Sequence, residues 1–262
     1  MRHTPNSARE RTRSEQEAVR EKIDAYDQFI SQVQDFSPES ERSSQRAPVV
    51  SAGGTQSAVS ATGTETGCAR VRSAFRDTVR PHSVDNLDSD EPLLETIHSE
   101  LSESIAVALA PATESRLTST LQETIVAASQ TRRAEAQAME AAVGREIKQL
   151  ETATETIKPI LEWLVDADET PLTELGFDKL QARHSTLDTY REHCTQLLTD
   201  RQAFLDQSTN HGGQAGITHR TLIEYLYHDL PISHPVLSTN VRVETLCADS
   251  QRRIREHLTR RI

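Results

Sequence analysis

Aromatic side chains are scarce in this sequence. Phe, Tyr and Trp make up 4% of its 262 residues, and Trp163 is the only tryptophan. Hydrophobic residues reach just 35%, and the mean hydropathy is −0.59. Such a chain cannot fill a thick compact interior, but it can supply narrow seams between helices. Its three cysteines, Cys68, Cys194 and Cys247, lie far apart with no CxxC pair. That excludes a disulfide frame and points to reduced thiols. No apolar run approaches the roughly 18 residues needed to span a bilayer. The first ten residues also lack the apolar segment of a secretory signal. The expectation is a soluble cytoplasmic protein with no membrane partner.

Lysine is the other shortage. It occurs at Lys22, Lys148, Lys158 and Lys179, while arginine supplies the other 25 of the 29 basic residues. The formal net charge is −11. Acidic excess with little Lys and much Ser, Thr and Ala suits a protein hydrated in concentrated salt; a GC-rich genome would also favour Arg. In strong salt the Debye length is only about 3 Å, so net charge then says little about partners. Low hydrophobicity with this charge also suits disorder, but a sustained helical periodicity argues against it for most of the chain.

Two apolar heptad seams carry that periodicity. Val143, Ile147, Leu150, Thr154, Ile157, Leu161 and Leu164 fall at alternating spacings of four and three. Phe177, Leu180, His184, Leu187, Arg191, Cys194, Leu198 and Leu205 keep much the same beat. Between them, Asp166–Gly176 is acidic and breaks the helix, so the two helices are expected to fold back as an antiparallel coiled-coil hairpin. Thr154, His184 and Arg191 stand where Leu would be strongest, which predicts modest stability and a specific register.

The rest of the chain divides around this hairpin. Residues 1–36 read as an amphipathic helix with the stripe Val19, Ile23, Tyr26, Ile30 and Val33, ended by Ser37-Pro38. Residues 37–67, rich in Ser, Thr and Gly, read as a disordered linker. Residues 68–111 form short helices: one carries Val71, Phe75 and Val79, and another is capped near Asp88–Asp90 with Leu94, Ile97, Leu101, Ile105 and Ala108 inward. The long hairpin takes 112–207, with Gly144 and Pro159 as weak points and Pro159 expected to kink it. Thr170-Pro171 or Gly176 restarts the chain as helix. A Gly-rich break at 208–216 leads to a C-terminal helical cap, 217–262, with helices at about 217–229 and 235–260. Val236, Val243, Cys247, Ile254 and Leu258 give the last helix an apolar face. No internal repeat and no strand-like alternation appears. The fold class is all-α: an elongated antiparallel coiled-coil hairpin with additional packed helices and a small cap.

Catalytic patterns are missing from the same inventory. His184, His193, Cys194, Cys247 and His257 lack the paired spacing of two to four residues that zinc sites use. No nucleophile elbow and no phosphate-binding Gly-rich loop is present. We therefore assign no catalytic, cofactor-binding or metal residues and no cofactor, and expect a non-enzyme; a metal-dependent enzyme is the least favoured reading. Two stretches invite other roles. Tyr225, Tyr227, His228, Leu230, Pro231, Ile232 and His234 concentrate apolar and ring groups, as partner-contact patches do, though a packed cap explains them too. Arg252, Arg253, Arg255, Arg260 and Arg261 form a basic tail suited to phosphate contact, although cations at a helix C-terminus also complement its dipole.

Five further blocks stand out: Cys68–Val79, Leu175–His184, Arg201-Gln202, Tyr225–Leu237 and the N-terminal stripe with Tyr26 and Phe29. Together they resemble an uncharacterised family of haloarchaeal helical proteins. The resemblance covers most of the chain outside 37–67. It implies a halophilic archaeal cytoplasm and transfers no activity or site residue. The leading expectation is a helical interaction or scaffold protein acting on a protein partner or a second copy, with a nucleic-acid-associated regulator as the alternative.

Overall fold

A computed structural model describes residues 3–38, 66–83, 92–113, 115–207 and 218–260. Among these residues the architecture is all-helical, in eight α-helices: α1 (His3–Asp35), α2 (Gly67–Asp77), α3 (Leu93–Glu100), α4 (Glu103–Leu109), α5 (Ser119–Asp168), α6 (Phe177–Leu205), α7 (His219–Tyr227) and α8 (Pro235–Thr259). Most of the Ser/Thr/Gly-rich linker, the Asp88–Asp90 cap, the 208–216 break and Arg261 lie outside the described residues. Gly67, assigned from sequence to the linker, is the first residue of α2, which Thr66 caps by accepting from the Ala69 N–H.

The helices gather into two compact units, one made of residues 1–17 and 138–262 and the other of residues 18–137. The division falls inside α1 and inside α5, not at the linker, because each of these helices carries buried residues for both cores. In the second unit, Tyr26, Phe29 and Val33 of α1 pack with Val71 and Phe75 of α2, Ile97 of α3, Ile105 and Leu109 of α4, and Ile125 of α5. The Phe29 and Phe75 rings meet edge to face at 5.4 Å, a favoured aromatic geometry.

The stretch expected as one helix from about residue 90 breaks at Leu101-Ser102 into α3 and α4. Ser102 is fully extended, and its hydroxyl accepts from the Ile105 N–H as a new N-cap. That bond offers the backbone an alternative to continuing the helix. The long central helix likewise starts at Ser119, seven residues later than the expected Ala112, because Thr118 caps it through the Leu121 N–H. It then continues through Gly144 and Pro159 without interruption.

In the first unit, side chains of α5 and α6 meet at successive levels. Glu146 meets Arg201, Trp163 meets Tyr190, and the Ala167 carbonyl accepts from Arg183. Gly176 is the N-cap of α6, and Thr170-Pro171 leads only into a single 3-10 turn. The buried face of α5 differs from the expected one. Val143, Leu150 and Ile157 are buried as expected, but Glu146, Ala153 and Ile160 take the places foreseen for Ile147, Thr154 and Leu161. Thr154 and Leu161 are exposed, so the beat runs three–four where four–three was expected. On α6, Phe177 is 55% exposed and does not belong to the seam.

The C-terminal helix is not confined to a cap at one end of α6. α8 lies along α6 in the opposite direction: Asn240 donates to the Cys194 carbonyl, Arg191 bonds Glu244 and Gln251, and Gln251 bonds Asp188. Arg191, expected as a weak seam member, faces this third helix, and the His184 carbonyl accepts from Gln251 of α8.

Candidate functional site

The densest polar cluster of the first unit is sealed inside it. Arg201 of α6 donates two hydrogen bonds to the Glu146 carboxylate of α5, at 2.7 and 2.9 Å. Their side chains are 2% and 0% exposed. Tyr227 of α7 donates to the same carboxylate at 2.7 Å and shares a 3.1 Å hydrogen bond with the Thr12 hydroxyl of α1. Three helices thus meet at one carboxylate, and α1 joins them through Tyr227. Burial, and then the charge on Glu146, push the Tyr227 phenol well above its ordinary pKa, so it remains a donor. Beside it, the Arg145 Nε–H donates to His219 Nε2 at 3.2 Å, and the His219 ring lies 4.1 Å from that of Phe204. A bidentate Arg–carboxylate pair fixes geometry as well as charge. Neither the carboxylate nor the guanidinium has solvent-facing surface with which to meet a substrate.

Unit two holds a smaller counterpart. Glu100 accepts from Lys22 at 2.7 Å and from the Tyr26 hydroxyl. Burial alone would raise the Glu100 pKa, but the hydrogen bonds from Lys22 and Tyr26 outweigh it and hold the carboxyl below its ordinary value. Tyr26 is shifted upward, by burial first and by Glu100 second.

The residues singled out from sequence separate. Tyr227 is fully buried, which removes it from any contact patch. Tyr225 is 49% exposed, with its hydroxyl donating to Glu15 at 3.1 Å and its ring stacked on His228. His228 and Pro231 are exposed, Ile232 and His234 are half-buried, and Leu230 packs against the core. The patch is therefore a mixture of core and surface. Arg252, Arg253, Arg255 and Arg260 are exposed on or just beyond α8, with Arg252 paired to Asp249. Arg9, Arg11 and Arg13 are committed within the chain: Arg9 and Arg13 share Glu151, and Arg11 pairs with Glu15. All three cysteines are buried and unbridged. Burial, helped by Cys194 and Glu244, pushes the Cys247 thiol up to about 11. Among the described residues no group of three or more His, Cys, Asp or Glu is placed to hold a metal ion, and no helix is long and apolar enough to cross a membrane.

The Glu146–Arg201 cluster is not marked by the periodicity, which favours Ile147 as the seam residue. One signal was present: Arg201 stands in the gap of the seam, three residues after Leu198 and four before Leu205. A groove of about 450 Å³ between α5 and α6 does open to solvent. Ile160 and Leu197 form its floor, with Tyr190, His193, Glu155 and Asp200 around it.

An all-helical protein whose helices are tied by polar clusters, one of them around a buried ion pair, is the class these observations define. The chain belongs to the family described as Domain of unknown function (DUF7260), whose model matches residues 4–251. No curated protein and no solved structure matches the chain.

Proposed function

We propose that this chain is a non-enzymatic helical interaction protein. In this reading α5 and α6 form an antiparallel coiled-coil hairpin that presents contact surface to a protein partner or a second copy. The observation that carries it is the apolar surface left beside the α5–α6 turn. Val165 is 64%, Phe177 55% and Leu161 39% exposed. Ile157 and Ile160 are buried without them, so polar residues would serve the core equally well at these three positions. Large apolar groups on such a surface mark interfaces. The 3–4 beat of α5 supports the coiled-coil description.

Sedimentation velocity over a concentration series, with crosslinking mass spectrometry in cells, tests the reading. Self-association, or reproducible crosslinks through 161–177 to one partner, is expected, and Leu161→Glu, Val165→Glu and Phe177→Glu together should abolish it. A chain that stays monomeric and crosslinks to nothing in cells would end the proposal. The alternative, nucleic-acid contact, draws on the exposure of Arg253, Arg255 and Arg260; binding to DNA and RNA across a salt series tests it, and no binding at any salt that keeps the fold removes it.

A further inference from the structure

The groove between α5 and α6 has the form of a seat for a third helix. Its wall on α5 is Thr152, Glu155, Thr156 and Pro159, at i, i+3, i+4 and i+7. Along α6 it follows Tyr190, His193, Leu197 and Asp200, at i, i+3, i+7 and i+10. Each set is one continuous helical stripe, two to three turns long, or about 10–15 Å at 1.5 Å per residue. Two stripes side by side over an apolar floor accept the ridge of another helix.

Charge selects the occupant. The groove carries Glu155 and Asp200, and among its described lining residues there is no Lys or Arg. The chain already shows how an arginine-bearing helix sits on this part of α5. Ala8 of α1 is buried in the same core, while Arg9 and Arg13 reach Glu151 at 3.4 and 3.6 Å. Glu155 lies one turn beyond Glu151. In strong salt net charge is screened within about 3 Å, so the selection rests on contacts at ion-pair distance, such as those of Arg9 and Arg13 with Glu151. We infer that this groove binds a basic amphipathic helix of another protein, with small or apolar residues seated over Ile160 and Leu197 and Arg or Lys directed at Glu155 and Asp200. The inference rests on the interaction reading above and names the partner's class.

Trp163 gives a direct signal, since it is the only tryptophan and stands edge-on to Tyr190 at 5.5 Å. The full chain is titrated with a synthetic 18-residue helix bearing Ala and Leu on one face and Arg on its flanks. The same helix with Glu for Arg serves as control. Saturable change in Trp163 emission is expected with the Arg helix only. The Glu155→Lys, Asp200→Lys double variant, whose sites are both exposed, should lose at least tenfold in affinity while its helical circular dichroism is kept. Val107→Glu, at an exposed position of the other unit, should leave this binding unchanged. Equal binding of the Glu helix, or indifference to the double charge reversal, would overturn the inference. No peptide binding together with crosslinks from a second copy into the groove would also overturn it, while leaving the broader interaction reading standing.

Discussion

Arg201 and Glu146 exchange two charge-assisted hydrogen bonds in a place where neither side chain meets water. Removing one partner strands a buried charge. Arg201→Met should destabilise the protein by about 3–5 kcal/mol, read from denaturant unfolding. The double variant Glu146→Leu, Arg201→Met should recover much of that loss, because two apolar residues of similar volume need no desolvation. If the single and double variants unfold at the same denaturant concentration, the pair is not the buried unit described. Other arginines have equally defined tasks. Arg72 donates to the Leu109 carbonyl, Arg132 to those of Ser99 and Glu100, and Arg183 to those of Ala167 and Thr170. Each closes the open end of a helix, where carbonyls lack partners. A planar fork with several donors does this better than the single ammonium of lysine, so composition toward salt or genome bias is not the whole reason for 25 arginines.

Glu100 yields a residue-level expectation with a definite sign. Its folded pKa lies below the ordinary 4.5, so it contributes stability that is present above that value. That contribution is lost as pH falls through the depressed folded pKa. Glu100→Gln should lower stability at neutral pH and flatten the decline below about pH 4.5; an unchanged acid limb would show that Glu100 carries no linkage.

At the scale of elements, the phase of the α5 seam decides what each position costs. Ile160 is 1% exposed and Leu161 39%. Ile160→Ala should cost about 2–5 kcal/mol, in the range of Leu150→Ala or Leu187→Ala, and Leu161→Ala well under half of that. Equal losses in thermal unfolding would restore the four–three phase. The sequence made the wrong phase attractive because Ile147 and Leu161 are apolar whereas Glu146 is charged. A charge becomes a seam residue only when its partner arrives from another helix, and Arg201 is 55 residues away. The helices themselves were far more legible. Their boundaries follow from local chemistry: Ser37-Pro38 just past α1, Gly176 before α6 and Pro235 in the first turn of α8. What was missed, the breaks at Ser102 and Thr118, came from hydroxyl caps that read as ordinary helix residues beside strong apolar periodicity.

For the whole molecule, the first unit is discontinuous in sequence. Ala8 and Thr12 complete a core whose other members lie beyond residue 138. Deleting residues 1–17 should therefore lower the thermal midpoint of a unit more than 100 residues away. It should also expose Cys194 and Cys247, which the intact chain buries with raised thiol pKa values. Thiol titration with a disulfide reagent reads this. The folded full-length chain should react slowly at all three cysteines, and the deletion variant faster at two. Identical rates would mean that α1 adds nothing to that core.

By itself the sequence determined an all-helical architecture, the approximate limits of its longer helices and the lack of an apolar run long enough for a membrane-spanning helix, because periodicity, proline, glycine and caps act over a few residues. Tertiary structure alone decided which face of α5 is buried, that α8 lies along α6, that Tyr227 belongs to the core and that a groove stays open beside Tyr190. Those outcomes depend on groups from distant segments meeting where water is excluded, and the cost of burying a charge or phenol cannot be assigned until its partner is in place.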